Sequence, residues 1–225
     1  GSITADIAAN PPATQANIRS TTDVAIYGID IESVGSDMVV DRADLELTLI
    51  PTGGSASNPG GFIKKMSFYD GSTLLKEMAV GTSDFNKDSS DRYHIIVSAI
   101  GFKVPKGTTK TLTVKVNVNA IDSADVNRVV TIKGYAGNSN NIRATDTAGF
   151  QSYADMSAAA NKATITFKPA GAATLTVTLD NTLTPKAANH RVTTTEGPQK
   201  LTMQAFSAKA ETGDAKLTKL YIAVN

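Results

Sequence analysis

Apolar and polar residues alternate with a period of two along much of this chain, which is the pattern of half-buried β-strands. In the clearest case, residues 111–119, leucine or valine alternates with threonine, lysine or asparagine. Further strands are expected at residues 43–49, 63–69, 73–80, 93–100, 128–135, 165–167 and 174–179. Parallel strands that are covered on both faces would be continuously apolar, so the alternation predicts antiparallel sheets with one wet face.

Turn signals separate the expected strands. The Tyr-Asp-Gly-Ser sequence at residues 69–72 predicts a hairpin, because glycine accepts the positive φ that tight turns require. The Pro-Lys-Gly sequence at residues 105–107 predicts a second turn, which leads directly into the strand at 111–119. About a dozen short strands with turns between them predict an all-β fold, an Ig-like antiparallel β-sandwich.

Helical periodicity is almost absent from the chain. The spacing of Tyr153, Met156 and Ala160 predicts a single short helix over residues 152–161. This helix is expected inside a polar surface loop at residues 137–162, the least strand-like stretch of the sequence.

The end of the chain repeats its beginning. The apolar positions Val24, Ile26, Ile29 and Ile31 correspond to Leu201, Met203, Phe206 and Ala208. Both series step by three instead of two at the same place, where Gly28 and Ala205 are the small residues, and this break predicts a β-bulge or a crossing between sheets. The chain is therefore expected to hold one complete repeat over residues 1–170 and the opening strands of a second over residues 171–225.

An incomplete repeat would leave an apolar face and unpaired strand edges. Three arrangements would follow: a chain cut within a tandem array, strands packed on the first domain, or strands completed by a neighbouring subunit. The third predicts self-association, or association with neighbouring repeats of the same protein, by β-strand addition.

Composition narrows the possible functions. The 225 residues include no cysteine and no tryptophan, so disulfides and cysteine-ligated metals are excluded. The formal net charge is +1, which is too small to predict binding to nucleic acid or to anionic lipid. The sequence has no apolar run of the roughly 20 residues that a spanning helix needs, so membrane insertion is not expected.

Two stretches of the sequence carry a family resemblance. Residues 201–210 (LTMQAFSAKA), with Gly-Asp at 213–214 and LTKLYI at 217–222, resemble the opening of tandem Ig-like repeats in large bacterial cell-surface and S-layer-type proteins. Residues 104–118 (VPKGTTKTLTVKVNV) are similar to the strand before the last hairpin of those domains. The resemblance implies a structural or adhesive role in an extracellular array at the cell surface.

One loop has the composition of a calcium site. Oxygen-bearing side chains recur at Asp84, Asn86, Asp88, Ser90 and Asp91, as in the first half of a loop that wraps a hard cation. The sequence departs from an EF-hand, because Ser89 stands at the sixth position and Ile95 at the twelfth. The alternative is a polar turn in which the Asp and Asn side chains cap backbone N–H groups.

Catalytic motifs are not recognisable. The two histidines, His94 and His190, lie in no nucleophile–base pattern, and two isolated histidines do not predict a zinc centre. We therefore expect no enzyme and no catalytic residues, but a non-enzymatic structural or assembly module of an extracellular surface layer, stalk or fibre. The alternative is a calcium-dependent adhesion or carbohydrate-binding module that contacts a cell-surface glycan through the Asp84 loop.

Overall fold

The computed structural model describes residues 1–18, 23–50, 56–90, 92–119, 128–168, 174–180, 182, 205–211 and 219. The chain divides into two compact units, Gly1–Pro169 and Ala170–Asn225. The described residues of the first unit form thirteen strands: β1 (Ser2–Ile7), β2 (Thr14–Ile18), β3 (Val24–Val34), β4 (Met38–Ile50), β5 (Ile63–Asp70), β6 (Thr73–Ala79), β7 (Asn86–Lys87), β8 (Tyr93–Val104), β9 (Thr109–Val118), β10 (Arg128–Gly134), β11 (Ile142–Asp146), β12 (Gln151–Ala154) and β13 (Ala163–Lys168). Those of the second unit form β14 (Thr174–Leu179) and β15 (Phe206–Glu211).

The strands of the first unit form two sheets. The first sheet has the order β1-β3-β9-β5-β6, and all its neighbours are antiparallel. In the second sheet the long strand β4 pairs along one edge with β8 and along the other first with β11 and then with β10. Beyond β10 the sheet continues to β13 and β2, and β13 and β2 run parallel. The all-β sandwich that the alternation predicts is confirmed.

The core of the first unit lies between the two sheets. The inward residues of β9, Leu112, Val114 and Val116, are fully buried, and they belong to one apolar cluster with inward residues of the opposite sheet such as Leu47 and Ile165. The residues between them along β9 are half-buried. The period-two alternation therefore separates the core face from the outer face, as expected for strands.

A β-bulge occurs in β3, but not at the predicted residue. The register between β3 and β9 shifts between Ala25 and Tyr27, before Gly28. Gly28 has a different role, because a Cβ there would lie 2.6 Å from the backbone oxygen of Asn10 and 2.8 Å from Ala8 Cβ. The segment that follows β1 passes so close to β3 that only glycine fits.

The predicted helix at residues 152–161 is wrong, and residues 137–162 are not one polar loop. β11 and β12 form an antiparallel hairpin in this stretch, followed by a short 3-10 turn at Ala159–Asn161. The backbone N–H of Met156, which a helix would direct to the carbonyl four residues earlier, donates instead to Asn141 Oδ1 at 2.9 Å. The buried Asn141 side chain thus holds this segment in an extended conformation.

The second unit contains a two-stranded antiparallel ladder in the part that the structure describes. β14 pairs with β15 from Thr174 opposite Glu211 to Leu179 opposite Phe206. Of the predicted repeat positions, Phe206 and Ala208 lie in β15, whereas residues 201, 203 and 212–218 lie outside the described residues.

Candidate functional site

The second sheet of the first unit forks at Asp44 in β4. The Asp44 N–H donates to the backbone oxygen of Asn141 at 2.7 Å, and its carbonyl accepts from the Tyr135 N–H at 3.0 Å. The β11 side of the fork is thereby joined to the β10 side. The Asp44 side chain is buried, and its Oδ1 lies 2.7 Å from Nδ1 of His94 on β8.

An aromatic pair lies next to this carboxylate. The rings of His94 and Tyr135 stack with centroids 3.8 Å apart and planes within 6°. The Arg92 guanidinium carbon lies 5.4 Å from the centroid of the Tyr135 ring, within the range of a cation–π contact. The Tyr135 hydroxyl donates to Asp88 Oδ2 at 2.9 Å. We name Asp44, Asp88, Arg92, His94 and Tyr135 the fork cluster.

Asp88 is the most heavily hydrogen-bonded member of the fork cluster. Its Oδ1 accepts from the backbone N–H groups of Ser90 at 2.8 Å and Arg92 at 3.0 Å. Its Oδ2 accepts from Arg92 Nε at 2.7 Å, and a second guanidinium nitrogen lies at the same distance. The Arg92 side chain, helped by its N–H and by Tyr135, holds the pKa of the Asp88 carboxyl well below its ordinary value. Burial and the hydrogen bond to Asp88 raise the pKa of Tyr135.

The other predicted calcium ligands have separate roles. Asp84 Oδ2 accepts from the Gly81 N–H at 2.7 Å at the start of a 3-10 turn over Thr82–Asp84. Asn86 is exposed in β7, opposite His94. Ser90 contributes its backbone N–H to Asp88, and Asp91 lies outside the described residues.

The contacts of Asp88 bear on the predicted calcium loop. A cation needs several oxygens that converge on one point, whereas the Asp88 oxygens converge on the positively charged Arg92. Among the residues that the structure describes, no group of three or more acidic or histidine side chains is placed to hold a metal ion. The contacts agree with the alternative interpretation, a polar turn with carboxylate caps.

The sequence pattern does not single out two members of the fork cluster, Asp44 and Arg92. Asp44 and Glu46 alternate with buried leucines in β4, so the pattern places them on a wet face. They are buried because the segment after β10 covers that face: the Ala136 N–H donates to Glu46 Oε2 at 3.1 Å, and Asn138 Nδ2 lies 3.4 Å from Asp44 Oδ2. His94 lies on a strand as predicted, and His190 falls outside the described residues. The cluster links β4 and β8 with the residues that follow β7 and β10, at the point where the sheet forks.

The second candidate site is the β14–β15 ladder, because its register repeats that of β1 and β3. In the first unit Ile7 lies opposite Ile29, and in the second Leu179 lies opposite Phe206. The next hydrogen bond is also the same in the two units. The Ala8 N–H donates to the Gly28 carbonyl, and the Asp180 N–H donates to the Ala205 carbonyl, each at 3.0 Å. Phe206 and Ala205 are the residues that the sequence repeat aligns with Ile29 and Gly28.

The two ladders differ in exposure. In the first unit Ile3 and Ile29 are 5% and 0% exposed, because they face the core of the sandwich. On the corresponding face of the second unit, Val177 is 52% exposed, Leu179 49% and Phe206 41%. Threonine, serine and lysine occupy the opposite face at Thr176, Thr178, Ser207 and Lys209, so this part of the β14–β15 ladder has one apolar and one polar side.

Comparisons with known proteins give no family assignment. No family model matches the chain, and no curated protein matches it. The solved structures that resemble it do so weakly. AvmM, described as catalysing macrocyclization in alchivemycin A biosynthesis, is 11% identical over 74% of this chain and 88% of its own, with a TM-score of 0.38. A cohesin module from a Clostridium perfringens family 33 glycoside hydrolase is 9% identical over 75% and 96%, with a TM-score of 0.30.

The third structure is ACE19, the collagen-binding subdomain of the Enterococcus faecalis surface protein ACE. It is 8% identical over 74% of this chain and 94% of its own, with a TM-score of 0.20. At such scores the similarities carry no argument about activity. In the part of the chain that the structure describes, no helix has the length and apolar character to cross a membrane.

Proposed function

We propose that this chain is a non-enzymatic structural module of an extracellular surface layer, stalk or fibre, in which successive repeats set a fixed spacing. The observation that carries the proposal is the shared register of the two ladders, with Leu179 opposite Phe206 where the first unit has Ile7 opposite Ile29. A second unit that opens with the strand pairing of the first is what a tandem array requires.

Two further features support the proposal. The core of the first unit is a continuous apolar cluster, and the charged groups of the fork cluster, of which Asp44 is buried and the others are half-buried, connect strands to one another. The junction between the repeats is short, since β13 ends at Lys168 and β14 begins at Thr174. Few residues therefore separate the last strand of one repeat from the first strand of the next, which suits a module that spaces its neighbours.

The test is to lengthen the array. Because Thr174 stands where Ser2 stands in the first unit, residues 2–173 can be inserted once, twice or three times ahead of the full chain in the same register. We expect small-angle X-ray scattering to give a constant increase in maximum dimension for each added copy, with one shared melting transition. Added copies that collapse onto one another, or that give no regular increment, would contradict a spacing function.

The calcium-dependent adhesion module is the other candidate from the sequence. No contact among the described residues favours it over the turn interpretation, so we do not propose it as the function.

A further inference from the structure

The inference concerns a row of side chains on the outer face of the second sheet. Four residues lie directly opposite one another on consecutive strands: Ser98 on β8, Arg42 on β4, Arg143 on β11 and Tyr153 on β12. Ser98 and Tyr153 are exposed, and the two arginines between them are half-buried. Because neighbouring strands lie about 4.8 Å apart, the row is about 14 Å long. We name these four residues the arginine row.

A β-bulge places a carboxylate beside the arginine row. Asp41 is an extra residue of β4 between Val40 and Arg42, where the register of β4 shifts with both β11 and β8. Such a bulge changes the direction of a side chain. Nε and Nη2 of Arg143 donate to the two carboxylate oxygens of Asp41, each at 3.0 Å. This bidentate ion pair matches the charge of Arg143 with that of Asp41.

Among the described residues, Arg42 has no such partner. Its Nη2 donates to the carbonyl oxygen of Asn140 at 3.1 Å, and its Nε is buried without an acceptor. The next acidic side chain along β4, Asp44, is buried in the fork cluster. Like charges that lie directly opposite one another on neighbouring strands are destabilising. Asp41 balances one of the two arginines, so the charge of Arg42 is left unmatched.

A carboxylate is the group that this arrangement fits. A guanidinium binds a planar oxyanion through two parallel N–H groups, and these bonds are stronger than those between neutral groups. One added carboxylate would balance the charge of Arg42 and would reduce its repulsion with Arg143. Rotation of the Arg42 side chain toward such a ligand would also give its Nε–H an acceptor, which it lacks in the buried position.

The side chains around the two arginines favour a saccharide as the carrier of this carboxylate. Tyr153 is 40% exposed and offers a flat ring, and Ile96 on β8 is 47% exposed. The exposed side chains of Ser98 and Asn140 offer a hydroxyl and an amide to ligand hydroxyls. β4 and β11 are each paired along both edges, so an extended peptide cannot add to them as a strand.

We propose that the arginine row binds an acidic saccharide, with a sugar carboxylate on the Arg42 guanidinium and the sugar chain extending across β11 toward Tyr153. Arg143 stays paired with Asp41 and offers its remaining N–H groups to the ligand. The hydroxyls of the sugar bond with Ser98 and Asn140. The site lies within the first unit, and the proposal does not depend on the spacing function.

The test uses the full chain and a trisaccharide of galacturonic acid. We expect saturable binding by isothermal titration calorimetry. The neutral galactose trisaccharide of the same linkage should bind about tenfold more weakly or worse, because it lacks the carboxylates. Arg42→Gln should weaken binding of the acidic trisaccharide by about tenfold or more for the same reason. Lys64→Gln is the matched control, since it removes one positive charge from an exposed residue of β5 in the other sheet, and it should bind as the wild type does.

Side-chain NMR locates the contact in the wild-type chain, independently of how any variant folds. The Nε–H resonance of Arg42 should shift during the titration, while that of Arg92, which already donates to Asp88, stays unchanged. No saturable binding, equal binding of the neutral trisaccharide, equal binding by Arg42→Gln, or an unchanged Arg42 resonance would overturn the proposal. Tighter binding of a triglutamate peptide than of the acidic trisaccharide would overturn it in favour of an acidic peptide.

Discussion

Leu179 lies opposite Phe206 in the second unit as Ile7 lies opposite Ile29 in the first. The connection between the paired residues is five residues longer in the second unit, yet the register is the same. Because a shift of one residue would move every side chain to the other face, a shared register preserves which face is apolar. The ladder is thus the structural counterpart of the sequence repeat.

The two repeats differ at the small residue beside this pair. Gly28 has no room for a Cβ beside Asn10, whereas the second repeat has Ala205 at the aligned position. We predict that Gly28→Ala destabilises the first unit by about 1–3 kcal/mol, the usual cost of overpacking. Urea unfolding followed by circular dichroism measures the change.

Gly61→Ala is the control for this prediction. A Cβ at Gly61 meets no atom within 4 Å, so the substitution should change stability by less than about 0.5 kcal/mol, as at other open surface sites. Equal effects of the two substitutions would show that the close approach of the segment after β1 does not determine the choice of glycine.

Asp88 should make stability depend on pH. Arg92 lowers the pKa of the Asp88 carboxyl in the folded chain, while an unfolded aspartate titrates near about 3.9. The unfolded state therefore takes up the proton first, so the stabilisation is fully present above about pH 5 and is lost as the pH falls further. Asp88→Asn should lower the melting temperature at pH 7, and the gap to the wild type should narrow steadily toward pH 2.5.

Ser90→Ala is the matched variant in the same loop, because Ser90 gives Asp88 its backbone N–H. It should leave the melting temperature and its pH profile unchanged. A gap between Asp88→Asn and the wild type that stays constant from pH 7 to pH 2.5 would contradict the role assigned to the Asp88–Arg92 ion pair.

Calcium should not stabilise the chain. The Asp88 oxygens already accept hydrogen bonds from Arg92 and Tyr135, and Asp84 caps another turn. A ligand that binds only the folded state raises its stability by mass action, so equal melting temperatures in millimolar calcium and in chelator are the expected result. A rise with calcium that Asp88→Asn abolishes would restore the calcium loop, and a rise that persists in Asp88→Asn would place a site elsewhere.

Much of the fold could be predicted because period-two alternation indicates which residues of a strand face the core of the sandwich and which face outward. The strand expected at residues 111–119 and the hairpin at residues 69–72 follow from local signals alone, and both are confirmed as β9 and the β5–β6 turn. The position of Phe206 in its ladder follows from the sequence repeat, which aligns Phe206 with Ile29.

The fork cluster could not be predicted in this way, because its burial depends on contacts between residues far apart in the chain. Asp44 and Asn138 are 94 positions apart, and Asp88 and Tyr135 are 47 apart. In β4 the alternation places Asp44 on an outer face, and it says nothing about the segment that covers that face. The spacing of acidic and polar residues at 84–91 likewise does not indicate that the Arg92 guanidinium contacts the Asp88 carboxylate.

Asn141 explains why the predicted helix is absent, and its removal should be costly. Its buried side chain accepts from the Met156 N–H at 2.9 Å and donates to Asp155 Oδ1 at 2.9 Å and to the Asn138 carbonyl at 3.0 Å. Asn141→Ala leaves the buried Met156 N–H without this acceptor, at a cost of about 1–3 kcal/mol. Urea unfolding measures the loss.

Asn140→Ala provides the comparison, because Asn140 is exposed and uses its backbone groups in the hydrogen bonds to Asn138 and Arg42. It should change stability by less than about 0.5 kcal/mol. Circular dichroism of Asn141→Ala should show no gain of helix, since the β11–β12 pairing remains. If Asn141→Ala were as stable as Asn140→Ala, the extended path of residues 155–156 would be determined by packing around Met156 instead of by the Asn141 amide.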